Sequence, residues 1–185
     1  SWEAWSNPGD VSDDLQGYDT WVAISDTITR PTVRLNDDAG TLDLLLIGAT
    51  HGDGRLGVGR LWLEQGAALE VERLQGCEQG CSVALRGGFL GVTDAALTTL
   101  VHSGGTLAIT ERLTLTDDYT LPTQATLSFR IETHGIEAVL EVGGSVELEG
   151  TLLATVAEGL RAPGASLPLI QAANITVGTV ELDLP

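Results

Sequence analysis

Lysine and methionine are absent from this 185-residue chain, cysteine occurs only twice, and aromatic residues make up 4%. Long apolar runs are missing too, the stretch Leu44-Leu45-Leu46-Ile47 being among the longest. A membrane-spanning helix needs roughly 20 consecutive apolar residues, so no helical membrane insertion is expected. All nine cations are arginine, set against 26 acidic residues, which gives a formal net charge of −17. Nucleic acid and anionic lipid are held by clustered cations that neutralise phosphates, and such a surface repels both. The balance suits an acidic extracellular protein exposed to salt or divalent cations, and it also serves solubility alone. A chain that opens on Ser1 with no methionine is expected to be a processed or excised piece.

Helical periodicity is nearly missing as well. Residues 93–103, "TDAALTTLVHS", could form a turn or two of helix, but their threonine content suits a strand or loop equally. What the chain has instead is alternation of apolar and polar residues, the period of a half-buried strand. It runs through residues 32–35, 41–48, 60–66, 68–74, 82–88, 106–116, 126–133, 138–150, 166–170 and 179–184. Leu61, Val83, Leu107, Leu127 and Val146 each open such a segment, at intervals of 22, 24, 20 and 19 residues. A loose repeat of this length is the signature of a solenoid whose coils stack on one another. Asn-Gly and Asp-Gly hairpin turns, expected of an antiparallel sandwich, are represented only by Asp53-Gly54. The expected fold is therefore all-β, a single-domain parallel β-helix with coils of about 19–24 residues. Glycines ahead of the alternating pairs, at Gly59, Gly105, Gly144, Gly150 and Gly178, are expected to turn the corners by adopting positive φ.

The first 31 residues differ from the rest and hold Trp2, Trp5 and Trp21 together with several aspartates. They are expected to cap the first coil, because a bare solenoid end exposes core and unpaired strand edges. An aromatic platform for a glycan or partner is the alternative role for these tryptophans. Residues 32–185 are expected to form the coils, continuous with that cap.

The carboxy-terminal part carries a pattern of Leu140-Glu-Val142, Gly144, Leu148-Glu-Gly150-Thr-Leu152, Pro163-Gly164, Leu169-Ile170, Ala172, Ile175, Gly178-Thr-Val180 and Leu184-Pro185. It resembles the terminal coils of secreted bacterial β-solenoids, namely autotransporter-like passenger domains and cell-surface repeat proteins. That family often has Tyr-Asp just before the position of Leu140, where this chain has Glu137-Ala138-Val139, and Phe after Gly-Thr, where it has Val180. The resemblance spans about a quarter of the chain, implies export and the solenoid fold, and brings no catalytic residues with it.

Few residues offer chemistry. Cys77 and Cys81 in "QGCEQGCS" are expected to form a local disulfide, with free thiols or metal ligation as alternatives. His51, His102 and His134 match no zinc-ligand spacing. The acidic neighbours Asp13-Asp14, Asp37-Asp38 and Asp117-Asp118 would point to opposite faces of a strand, which suits turns better than a carboxylate pair for glycoside hydrolysis. Asp37, Asp38 and Asp43 are weak calcium candidates, since they gather hard oxygen donors without any calcium-loop motif. A lyase base is hard to find where lysine is absent. The expected function is an extracellular structural or assembly protein of a bacterial surface layer, matrix or filament. Its expected partners are copies of itself joined end to end, with no catalytic, cofactor or resident metal site. The alternatives are an adhesin-like domain that binds glycans or neighbouring surfaces and a polysaccharide lyase or hydrolase.

Overall fold

Alternation puts every second side chain on one face of a strand. The computed structural model, which describes residues 20–25, 31–48, 57–131, 138–157 and 168–183, turns nearly every alternating segment into strand. In chain order these are β1 (Trp21–Ile24), β2 (Thr32–Leu35), β3 (Asp38–Ile47), β4 (Arg60–Leu63), β5 (Ala68–Gly76), β6 (Ser82–Leu97) and β7 (Leu100–Leu115). They continue as β8 (Tyr119–Leu121), β9 (Ala125–Ile131), β10 (Val139–Leu148), β11 (Thr151–Val156), β12 (Ile170–Val177) and β13 (Glu181–Asp183). No described residue is helical. The ambiguous stretch at 93–103 ends β6 and begins β7, with Ala95, Leu97, Leu100 and His102 buried along it.

Every strand pairing is parallel. Parallel neighbours cannot be joined by a tight hairpin, and here the chain returns by passing through other strands. The pairings fall into three ladders. One aligns Val22, Leu45, Leu74, Ala95, Leu113, Leu140 and Ile170 in a single row. A second aligns Leu69, Leu90, Leu107, Leu127, Leu152 and Leu182. The third aligns Val33, Leu61, Val83 and Leu100, and farther along it pairs Tyr119 with Val146 and Val146 with Ile175. Side chains from all three ladders meet in one hydrophobic cluster.

Two of the intervals read from sequence, Leu61 to Val83 and Leu107 to Leu127, are true register partners. The other two are not. Val83 pairs with Leu100, and Leu127 pairs with Leu152. The regular interval was a mixture of steps within and between ladders.

Glycine also works differently from the sequence expectation. Of the five glycines that precede alternating pairs, only Gly105 has positive φ, at 84°. At Gly59 and Gly150 the backbone of a neighbouring pass comes too close for a Cβ, and at Gly144 the Asp118 carboxylate does. A Cβ at Gly150 would lie 2.5 Å from the Ala125 carbonyl oxygen, and one at Gly59 would strike the Ile24 carbonyl. Close approach of one rung to the next, more than corner geometry, selects glycine at these places.

Burial of a Leu or Val stabilises by about 1.5–3 kcal/mol, while fixing each residue's backbone costs about 1–2 kcal/mol. Every second residue must therefore be well buried for a rung to hold its place. Leu61, Leu63, Leu69, Leu85, Leu107, Leu121 and Leu127 are fully buried and meet that demand. The last rung does not. In β12 the residues Ile175 and Val177 are 46% and 62% exposed, and Leu182 of β13 is 62% exposed.

Candidate functional site

The exposed last rung follows directly from the register. Ile175 is the partner of buried Val146, Val177 of buried Leu148, and Leu182 of Leu152. All three continue rows that are apolar and covered in earlier rungs, but no further strand covers them among the described residues. The strand β12 reads IQAANITV, with no charge and no proline. Sheet edges are ordinarily kept from pairing by charged side chains, proline, bulges or a covering segment. The exposed half of β12 carries neither charge nor proline, so its N–H and C=O groups and its apolar side chains are open to a partner strand.

The opposite end differs. Ile24 is 3% exposed and Leu35 is 8% exposed, so core residues of the first described strands are already covered. Trp2 and Trp5, on which the amino-terminal cap was expected, lie outside the described residues. Trp21 begins β1 and pairs with Leu44 through its backbone.

Cys77 and Cys81 form the expected disulfide. Both are buried in the hydrophobic cluster. The bridge packs where β3 ends: a Cβ at Gly48 would collide with both sulfurs, and Gly48 has φ of 78°. The Cys77 N–H donates to the Ile47 carbonyl at 2.9 Å, and the Thr98 hydroxyl donates to the Cys77 carbonyl at 2.8 Å. The ring thus ties together three successive passes of the chain, which gives it a local structural role.

The aspartates proposed for calcium are not brought together. The Asp38 carboxylate accepts the Gly40 N–H at 2.8 Å, closing a turn. Asp43 accepts the Thr20 N–H at 2.9 Å, from the preceding pass of the chain. Asp37 is exposed beside them. No group of three metal-ligating side chains occurs among the described residues.

His51 and His134 lie outside the described residues. His102 is buried, and its Nδ1 lies 2.8 Å from the Tyr119 hydroxyl, while Nε2 lies 3.3 Å from the Gly105 carbonyl oxygen. The carbonyl can only accept, so the ring proton belongs on Nε2, and Nδ1 accepts from Tyr119. Burial disfavours the charged ring and lowers its pKa to about 4, although the Gly105 bond partly opposes that shift. Burial likewise raises the pKa of Tyr119. The ring nitrogens are satisfied by Tyr119 and Gly105 and both side chains are buried, which suits a structural role.

One constellation went unnoticed in the sequence. Arg34, Trp62 and Arg86 lie on β2, β4 and β6, which are adjacent in the third ladder. The Arg34 guanidinium carbon is 4.4 Å from the Trp62 ring centroid, and that of Arg86 is 3.8 Å away. Because β2 and β6 flank β4, the indole lies between two cations. Each contact is worth about 0.5–1 kcal/mol at an exposed site. The three residues lie at positions 34, 62 and 86, a spacing that marks them as neighbours only once the strand register is known. Comparison with protein-family models, with curated proteins and with solved structures finds no match for this chain.

Proposed function

We propose that this chain is an extracellular structural protein, a β-solenoid subunit of a surface layer, matrix or filament built by end-to-end contacts between copies. In this reading the three parallel ladders are the three faces of one coiled stack, and each pass of the chain is a coil. The exposed edge formed by uncharged β12 and by Leu182 of β13, which Glu181 and Asp183 flank, carries the proposal. A second copy is its natural occupant, since a strand that continues the same parallel rows would cover Ile175, Val177 and Leu182 as earlier rungs cover their partners. Joined to the far end of another copy, this edge makes a heterologous contact that need not close. The buried disulfide supports an oxidising compartment, and the acidic surface supports a protein kept dispersed until its ends meet.

The test is assembly as a function of concentration, by sedimentation velocity and negative-stain microscopy. Wild type is expected to form linear assemblies at high concentration. Val177→Lys with Leu182→Lys, which places charge on the edge, is expected to remain monomeric while its thermal unfolding midpoint stays within a few degrees of wild type. A wild-type chain that stays monomeric at every concentration, or forms only a closed dimer, would overturn the filament.

A further inference from the structure

The described arginines are not equally neutralised. Arg86 lies 3.7 Å from Glu64, Arg112 lies 3.7 Å from Glu141, and Arg130 lies 3.2 Å from Glu70. Arg73 also has an interaction partner. Arg34 and Arg60 alone of these six arginines form no ion pair among the described residues. This happens in a chain where acidic residues outnumber arginines 26 to nine, so carboxylates are plentiful and pairing is the ordinary outcome. Both unpaired cations sit on one surface, Arg34 beside Trp62 and Arg60 on the same strand two residues earlier. Side chains two apart on a strand share a face, so Arg60 and Trp62 project together.

The indole has a definite effect on its neighbours. Held between two guanidinium groups whose carbons lie 4.4 and 3.8 Å from its ring centroid, it keeps them within roughly 8 Å of each other. A guanidinium presents a rigid planar fork that matches a carboxylate or sulfate. Arg86 already faces Glu64 at 3.7 Å, so the forks open to a ligand are those of Arg34 and Arg60, and two such forks suit an anionic group repeated along an extended polymer better than one compact anion. Beside them, the row that starts at Trp62 continues through Ala84 to Val101. Ala84 is buried, but Val101 is 49% exposed and adds an apolar spot near the indole on which the C–H face of a sugar ring can rest. The net charge of −17 opposes every polyanion, so attraction must come from this local cluster, and a sparsely charged polysaccharide fits better than nucleic acid with its dense phosphates.

We infer that Arg34, Arg60 and Arg86, arranged around Trp62, form a binding site for an anionic polysaccharide whose carboxylate or sulfate groups recur along the chain. The site lies on an outer face of the third ladder and does not depend on the end-to-end contact. Occupied, it gives Arg34 and Arg60, which form no ion pair among the described residues, anionic partners supplied from outside.

The experiment is isothermal titration of the full chain at low salt with polygalacturonate, dextran sulfate and uncharged dextran. Polyglutamate serves as an acidic-peptide control. Wild type is expected to bind polygalacturonate or dextran sulfate, which identifies the anionic group, and to ignore dextran. Arg34→Ala with Arg86→Ala is expected to weaken that binding at least tenfold. Arg112→Ala with Arg130→Ala removes the same charge elsewhere and is expected to leave affinity within about twofold. Trp62→Leu keeps both cations but releases their spacing, and is expected to weaken binding several-fold. Circular dichroism of each variant reports folding, and a variant that does not fold is replaced by the corresponding glutamine or phenylalanine substitution. Failure of both polyanions to bind, equal losses in the two arginine doubles, or tighter binding to polyglutamate than to either polysaccharide would overturn the assignment.

Discussion

Gly105→Ala is expected to destabilise the chain by about 3 kcal/mol or more, the range reached when a core backbone must shift. Two effects combine. Gly105 has φ of 84°, and an L-residue in that region costs about 1–2 kcal/mol. Its Cβ would also strike the Gly88 carbonyl and approach the Gly87 carbonyl carbon to 2.7 Å and the Gly88 nitrogen to 2.8 Å. These are backbone atoms of the neighbouring strand and cannot rotate away, so β6 and β7 must separate at the corner. Gly40→Ala provides the comparison. Gly40 has φ of 76° yet a Cβ there would meet nothing within 4 Å, so only the conformational cost of about 1–2 kcal/mol remains. For a chain of this size 1 kcal/mol shifts the midpoint by about 2–4 °C. Thermal melts followed by far-ultraviolet circular dichroism should therefore show a drop of about 6–12 °C for Gly105→Ala, and a clearly smaller one for Gly40→Ala. Equal drops would show that close backbone approach contributes nothing at Gly105.

The second large effect is a loss of stability on mild acidification, and it originates at the same corner. His102 is held neutral in the fold, with its pKa lowered from 6.5 to about 4 by burial. The unfolded chain binds a proton at this ring once pH falls below 6.5, whereas the folded chain does not do so until about pH 4. The contribution is thus fully present above pH 6.5, declines through the interval, and is gone below pH 4. A shift of this size corresponds to on the order of 3 kcal/mol. Denaturant midpoints measured between pH 7 and pH 5 should fall, ahead of the range in which ordinary carboxylates titrate. His102→Gln keeps a hydrogen-bonding side chain that does not titrate, and it should flatten that part of the profile whatever its stability at pH 7. An unchanged slope in this variant would assign the acid sensitivity to other groups.

Strand alternation was legible because an apolar row must be covered on one side and wetted on the other. Leu61 and Leu63 inside, with Arg60 and Trp62 outside, repeat that logic along β4. The ladders were only partly legible. The separation between paired segments is not constant: His102 lies beside Tyr119, 17 residues on, whereas Thr114 lies beside Glu141, 27 residues on. A fixed interval therefore drifts from one ladder into another. Alternation also misplaces Ala108 and Ser128, which fall on polar positions but are 1% and 5% exposed. They share a row with Glu70 and Gly91, and the ion pair of Glu70 with Arg130 spans that row. Its partners are 60 residues apart, a distance at which no local pattern announces a contact. The candidate surfaces were harder still. The Arg34–Trp62–Arg86 stack exists only once three strands lie side by side, and the exposure of Ile175 depends on what fails to follow it in space.

Because each strand pairs in parallel with those one pass away, the cost of closing each new loop is set by the length of one pass. Loop-closure entropy rises only slowly with length, and here it does not rise with the size of the whole molecule at all. If these passes are the coils of a solenoid, as proposed, folding can nucleate in any of them and spread to its neighbours, much as a crystal grows in one dimension. Melting retraces that course from whichever end is least covered. Among the described residues, the pass that bears Ile175, Val177 and Leu182 is the one least held by its neighbours, and a surface that covered it would steady it.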